Sequence, residues 1–178
     1  SLLTREPGGT ELGEQIKHLL QFSAAGELMM PETELLLFAA SRAQLVREII
    51  APALAGGTTV IADRFFDSTT VYQGVARKLD RAAVKFVNEF AIGSCKPDIT
   101  FLLDLDTLAA RDRLNRRTPN FPFADRMESE PMDFYERVRR GYLELAEGEQ
   151  TRIRVIEASR SPEEIETTIW NQLAPFFS

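Results

Sequence analysis

The stretch Thr58-Thr59-Val60-Ile61-Ala62-Asp63-Arg64 decides how this chain is read. Apolar and β-branched residues follow Gly56-Gly57 and stop at a charge pair, the pattern of a buried parallel strand. In open α/β sheets, ligands bind beyond the carboxyl ends of the strands, so Asp63 and Arg64 stand where chemistry takes place. A guanidinium there can fork two N–H groups onto a phosphate, and the carboxylate can hold a hydrated metal or the arginine itself. An isolated Asp-Arg pair would be an ordinary strand-end ion pair. The segments around it decide otherwise.

Strands and helices alternate outward from that point. Leu2-Leu3-Thr4 reads as the end of a strand, and Glu11 to Gln21 carries Leu12, Ile16, Leu19 and Leu20 at helical spacing. A long helix starts near Pro31 and runs to about Leu54, and Asp80 can cap another that ends before Gly93. Ile99 to Leu105 is a further strand, and Asp106 or Thr107 can cap the helix after it. Helix Met132–Glu147, strand Ile153–Ile156 and a last helix follow, the last opened by the capping box and first-turn proline of Ser161-Pro162-Glu163-Glu164. This alternation predicts an α/β fold, a three-layer sandwich with a mainly parallel sheet covered on both faces. The 178 residues, 44% hydrophobic and 27% charged, form one domain, 1–178.

Charge bounds the partners. A net charge of −6 argues against nucleic acid, and no apolar stretch approaches the roughly 20 residues of a membrane span. Cys95, the single cysteine, excludes an intramolecular disulfide and suits a reducing cytosol. His18 lies in a helical pattern and reads as surface. Yet Arg111, Arg113, Arg116, Arg117 and Arg126 crowd into one short region, which suits a small anionic ligand.

Other segments carry chemistry of their own. Arg5-Glu6-Pro7-Gly8-Gly9 sets a charged pair beyond a strand end, with glycines that let the backbone turn tightly near a ligand. Phe38 and Arg42, four apart, share a helix face. A ring that stacks and a guanidinium that donates to a carbonyl suit a flat base. Taken alone, Phe38 after Leu35-Leu36-Leu37 would be core, but a core stripe does not want the unpaired charge of Arg42. The arginine cluster leads into Thr118-Pro119-Asn120-Phe121-Pro122-Phe123-Ala124, a loop of little periodicity. Such a cluster is either a solvated helix face or a source of positive charge for phosphoryl oxygens.

Four segments in register resemble bacterial thymidylate kinase, a nucleoside-monophosphate kinase of the P-loop class. They are Thr4-Arg5-Glu6-Pro7-Gly8-Gly9-Thr10, Leu37-Phe38-Ala39-Ala40-Ser41-Arg42-Ala43-Gln44, Asp63-Arg64-Phe65-Phe66-Asp67-Ser68-Thr69-Thr70-Val71-Tyr72-Gln73-Gly74 and Asp125-Arg126-Met127-Glu128. The resemblance implies transfer of the ATP γ-phosphoryl group to thymidine monophosphate, with magnesium. Arg5 and Arg64 would hold the acceptor phosphate, and Asp63 would place magnesium through water or hold that arginine. Phe38 and Arg42 would contact thymine, Thr69 would read the pyrimidine edge, Ser68 would bind the substrate beside it, and Tyr72 and Gln73 would line the site, Tyr72 at the sugar end. Phe65 stands where the family more often has tyrosine. Asp104 looks like the aspartate of a Walker B strand, as a metal ligand or simply facing the phosphate loops. Residues 114–127 look like the lid, with Arg116 or Arg117, together with Arg126, as catalytic arginines.

The same resemblance predicts a homodimer in the cytoplasm. Leu45, Val46, Ile49, Ile50 and Leu54 form a stripe that suits either the partner or the sheet. The chain carries no Gly-x-x-x-x-Gly-Lys-Ser/Thr, so the family's central first strand and P-loop are expected to precede it, and this segment is expected to be inactive alone. The alternatives are a kinase of another nucleoside monophosphate, a catalytically degenerate nucleotide-binding protein, or an oligomerisation module. The last leaves the charged strand ends unexplained.

Overall fold

Strand β1 (Leu2–Arg5) runs parallel to β2 (Val60–Asp63), and the register sets Leu3 opposite Ile61 and Arg5 opposite Asp63. The computed structural model describes residues 1–22, 28–117 and 126–177, and only the backbone of Arg117, Glu128 and Ser129. A parallel pair needs a long crossover. Here it is α1 (Glu11–Gln21) followed by α2 (Pro31–Leu45), a π-helical stretch (Val46–Ile50) and α3 (Ala51–Ala55). The long helix thus ends where the spacing predicts. Strand β2 starts two residues later than expected, because the Thr58 amide still donates to Ala53 O at the helix end. It then takes in Asp63, which pairs with Arg5.

The chain continues through α4 (Phe66–Thr69), a second π-helical stretch (Thr70–Ala76) and α5 (Arg81–Ile92). Asp80 caps α5 by accepting from the Ala83 amide at 2.8 Å. Strand β3 (Thr100–Asp104) pairs in parallel with β4 (Ile153–Glu157), across α6 (Thr107–Arg117) and α7 (Met132–Gly148). Asp106 is the residue that caps α6, accepting from the Leu108 amide at 2.9 Å. Helix α8 (Pro162–Leu173) forms both halves of its capping box and is followed by a short 3₁₀ turn (Ala174–Phe176).

The α/β class and the parallel strand direction are as expected. The strands stand as two pairs, β1–β2 and β3–β4, with no ladder joining them among the described residues. Leu3 and Ile61, opposite one another, are both exposed, so one face of the first pair is uncovered.

Two apolar clusters organise the rest. Leu45, Val46 and Ile50 pack with Phe65 and Ile92, and Ile49 lies partly buried against them, so this part of the 43–54 stripe faces the core, whereas Leu54 at its end is exposed. Val71, Ala76, Phe134 and Val138 form the second cluster, with Tyr72, Met127, Tyr142 and Leu145 against it. Together they clamp α4 and its π-helical continuation between α2 and α7. That segment carries the charge-bearing motif onward from Asp63.

Candidate acceptor site

Glu34, Phe38 and Arg42 recur every fourth residue and therefore share one face of α2. Thr69, Gln73 and Arg77 recur likewise across α4 and the π-helical stretch, whose wider winding keeps such residues aligned. The two rows run antiparallel and meet in two polar rungs. Arg42 donates to Thr69 at one end, and Glu34 accepts from Gln73 and Arg77 at the other. Phe38 lies between the rungs, half-buried, so part of its ring stays open. An aromatic surface bounded at both ends by fixed polar groups is the shape of a planar, polar-edged ligand.

Arg42 is 1% exposed, which demands partners on every side. Its Nε donates to Glu6 Oε2 at 2.8 Å, Nη1 to Asn88 Oδ1 at 2.9 Å and Nη2 to Thr69 Oγ1 at 2.9 Å, and it lies 5.8 Å from the Phe65 ring centroid. Asn88 in turn donates to Thr70 Oγ1 at 3.1 Å. Glu6 is buried, and among the described residues its Oε1 finds no partner. Burial outweighs the Arg42 charge and pushes the Glu6 carboxyl above the ordinary glutamate value. Phe65, where a tyrosine was the commoner expectation, thus carries the cation–π contact to Arg42 with its ring buried.

Glu34, also 1% exposed, accepts from Gln73 Nε2 at 2.8 Å and from Arg77 Nε at 3.2 Å through Oε1. Its Oε2 takes Arg77 Nη2 at 3.3 Å and Arg126 Nη2. Burial alone would raise the Glu34 carboxyl. The donated hydrogen bonds from Gln73, Arg126 and Arg77 win, and the group is held below its usual value. Arg77 also reaches Glu130 at 2.5 Å and lies over the Phe134 ring.

The strand ends bring the phosphate candidates together. Arg5 ends β1 one residue from the register partner of Arg64, and its side chain, exposed, donates to Glu14 at 2.9 Å. The turn after it is built by Gly8 at φ +118° and Gly9 at φ +80°, conformations other residues adopt only with strain. A Cβ on Gly9 would sit 3.2 Å from the Arg5 carbonyl oxygen, so the close return of the chain needs glycine. Arg64, exposed, also has positive φ, 63°, which is costly for a long side chain and common at ligand-binding turns. Its guanidinium stands 5.5 Å over the Tyr72 ring. Ser68 Oγ and Tyr142 OH are hydrogen-bonded at 2.8 Å, and burial pushes the Tyr142 phenol up to about 12, so it stays neutral.

A second buried ion pair ties this segment to the other strand pair. Arg152 forks onto Asp67, Nη1 to Oδ2 at 2.7 Å and Nη2 to Oδ1 at 2.8 Å, while Nε donates to Glu149 at 2.7 Å. The Arg152 guanidinium also lies 5.2 Å from the Phe66 centroid.

The arginine-rich helix divides by geometry. Arg111 and Arg116 are exposed, and Arg113 donates to Ala158 O at 3.0 Å. Arg126 is engaged, its Nε on Leu20 O at 3.1 Å and its Nη2 on Glu34. Asp104 receives both Nε and Nη2 of Arg139, at 2.8 and 2.9 Å, and that hydrogen bonding holds it below the ordinary aspartate range. The expected lid overlaps 118–125, so Phe121, Phe123 and Asp125 lie outside the described residues, as does the Arg117 side chain.

Sequence reading therefore names Phe38, Arg42, Thr69 and Gln73, and these residues come together. It misses Glu34, Asn88 and Arg77, which complete the rungs. The signal for Glu34 was present, four residues before Phe38 and eight before Arg42.

Comparison with known proteins adds the family. A thymidylate kinase family model matches residues 1–169. A thymidylate kinase of Desulfosudis oleivorans is 51% identical over 160 residues, covering 88% of this chain and 74% of that one. One of Geobacter sulfurreducens is 45% identical over 172 residues, covering 94% and 79%. A crystal structure of thymidylate kinase from Ehrlichia chaffeensis aligns with TM-score 0.74 at 34% identity, covering 97% of this chain and 79% of that one. By its motifs, its fold and these relatives, the chain belongs to the thymidylate kinase family.

Proposed function

We propose that the protein transfers the γ-phosphoryl group of ATP to thymidine monophosphate, giving the diphosphate for DNA precursor synthesis. The observation that carries this reading is the Phe38 slot, closed by Arg42 and Thr69 at one end and by Gln73 at the other, beside the paired strand ends that bear Arg5 and Arg64. Phe38 stacks the base, and Arg42, Ser68, Thr69 and Gln73 line its edge. Tyr72 lines the sugar end, and Arg64 and Arg5 hold the acceptor phosphate. Phosphoryl transfer needs alignment and positive charge around the moving group more than it needs a base, because the acceptor is already an anionic phosphate. Arg116 and Arg117, at the end of α6, are the arginines that supply that charge. Arg126, named with them from sequence, is tied to Glu34 and serves to anchor the segment after 125.

Among the described residues no group of three or more His, Cys, Asp or Glu could hold a metal ion. Asp63, exposed at the end of β2, would hold a hydrated magnesium ion for the donor phosphates. When bound, magnesium neutralises charge on those phosphates. Residues 1–178 act as one nucleoside-monophosphate kinase domain, with 114–127 as its lid. The exposed Phe86 and Phe90 on α5 form the surface on which a homodimer assembles, and a one-chain mass by light scattering would refute that. No helix among the described residues is long and apolar enough to cross a membrane, and the reading sets the protein in the cytoplasm, with ATP and thymidine monophosphate as partners.

Calorimetric titration with thymidine monophosphate tests the reading. Binding is expected in the unaltered protein and loss of at least about tenfold in Arg64→Ala, the scale of one charge-assisted contact to phosphate. Equal binding by both refutes the assignment of the strand ends.

A further inference from the structure

Glu34 stands where a buried carboxylate is hard to justify as packing. It is fully enclosed on α2, and its two oxygens are filled by Gln73, Arg77 and Arg126. An ionised carboxylate only accepts, so the group of Gln73 that faces it must be the NH₂ end. The two ends of an amide are told apart by their hydrogen-bond network, and here the network is one-sided. Turning the amide over would set the Gln73 carbonyl oxygen against the Glu34 carboxylate and leave two acceptors face to face.

The antiparallel rows say where that oxygen matters. Gln73 is one residue row from Thr69 and shares its face, and Phe38 lies between the Arg42–Thr69 rung and the Glu34–Gln73 rung. We infer that Glu34 is a positioning residue for base recognition: it holds the Gln73 amide nitrogen inward, so that Gln73 offers only its carbonyl oxygen to a ligand lying on Phe38. The inference deepens the acceptor-site reading and rests on it. A nucleobase that presents an N–H along that edge, the imide of thymine or uracil, can donate to the oxygen. Cytosine carries a lone pair at the corresponding ring nitrogen and meets it acceptor to acceptor. Glu34 thus selects among pyrimidines without touching them.

The test compares thymidine monophosphate with deoxycytidine monophosphate by calorimetry. In Glu34→Gln the neighbouring amide can donate or accept, so Gln73 is free to turn over. The variant is expected to bind thymidine monophosphate about tenfold more weakly, the scale of one hydrogen bond, and to lose a similar factor in its preference over deoxycytidine monophosphate. In a Gln73→Met background, Glu34→Gln should leave that preference unchanged, because there is no amide left to orient. A merely structural Glu34 would weaken both nucleotides alike, so an unaltered preference in a folded Glu34→Gln overturns the inference. Should Glu34→Gln fail to fold by circular dichroism, Gln73→Met alone decides. It leaves Glu34 paired with Arg77 and Arg126, and an unaltered preference there overturns the inference as well. Absence of binding by the unaltered protein to either nucleotide refutes the acceptor-site reading itself, whereas normal binding with an unchanged preference refutes the role of Glu34 alone.

Discussion

Replacing Arg152 by alanine should destabilise the protein far more than an ordinary arginine substitution. The Arg152 and Asp67 side chains are 7% and 8% exposed and form two hydrogen bonds of 2.7 and 2.8 Å. With the guanidinium gone, Asp67 keeps, among the described residues, the Thr100 hydroxyl at 3.3 Å, and Phe66 loses the cation above its ring. A carboxylate left buried without its cation costs about 3–5 kcal/mol. For a chain of this size each kcal/mol moves the melting temperature by about 2–4 °C, so a fall of roughly 6–20 °C is expected. The measurement is urea unfolding followed by circular dichroism, read as a shift of midpoint at constant slope. The double variant Asp67→Leu/Arg152→Met removes both charges and should recover most of the loss, because an apolar pair avoids the desolvation of two ions. A loss below about 1 kcal/mol in Arg152→Ala would mean the pair behaves like an exposed one. A double variant no more stable than the single one would equally refute the argument.

Arg42→Lys should destabilise by about 2–3 kcal/mol and weaken thymidine monophosphate binding, since a single ammonium cannot reach Glu6, Asn88 and Thr69 at once; thermal melts and calorimetry check both. Glu34 is held below its usual carboxyl value, so it binds fewer protons folded than unfolded. Its contribution is therefore complete above the ordinary value of 4.5 and is lost as the pH falls through the lowered folded value. Urea midpoints taken from pH 7 down to pH 3 should show this fall, and Glu34→Gln should flatten that part of the profile. Gly9→Ala should cost about 1–3 kcal/mol, because φ +80° is strained for alanine and the new methyl meets the Arg5 carbonyl; an unchanged melting temperature would show that the turn relaxes freely.

Much of the site was legible because it is written at short range. The capping box of α8, the Asp80 cap and the start of α2 at Pro31 each depend on residues within one turn, and each formed where the sequence predicts. Phe38 and Arg42 were paired by helical spacing alone, and Arg5 and Arg64 by their places after two strands. The partners of Arg42 were not legible. A guanidinium expected to reach for a ligand is largely spent on Glu6, Asn88 and Thr69, which lie 36, 46 and 27 residues away along the chain. The direction of the 43–54 stripe was also undecided by spacing, since an apolar row packs equally well on a core or a partner until the neighbouring elements are in place.

By itself, the sequence determined the class of fold, the order of its elements and the family, because periodicity, caps and motif order are properties of adjacent residues and of their succession. Only the tertiary structure decided that Glu34 faces Gln73 across 39 residues, and that Arg152 faces Asp67 across 85. Each of those carboxylates could have paired with any of the chain's arginines. Which one it met was settled when the packing of α2, α4 and the strand pairs took both charges out of water together. A buried ion is tolerated only beside its counterpart, and no local pattern records where that counterpart will be.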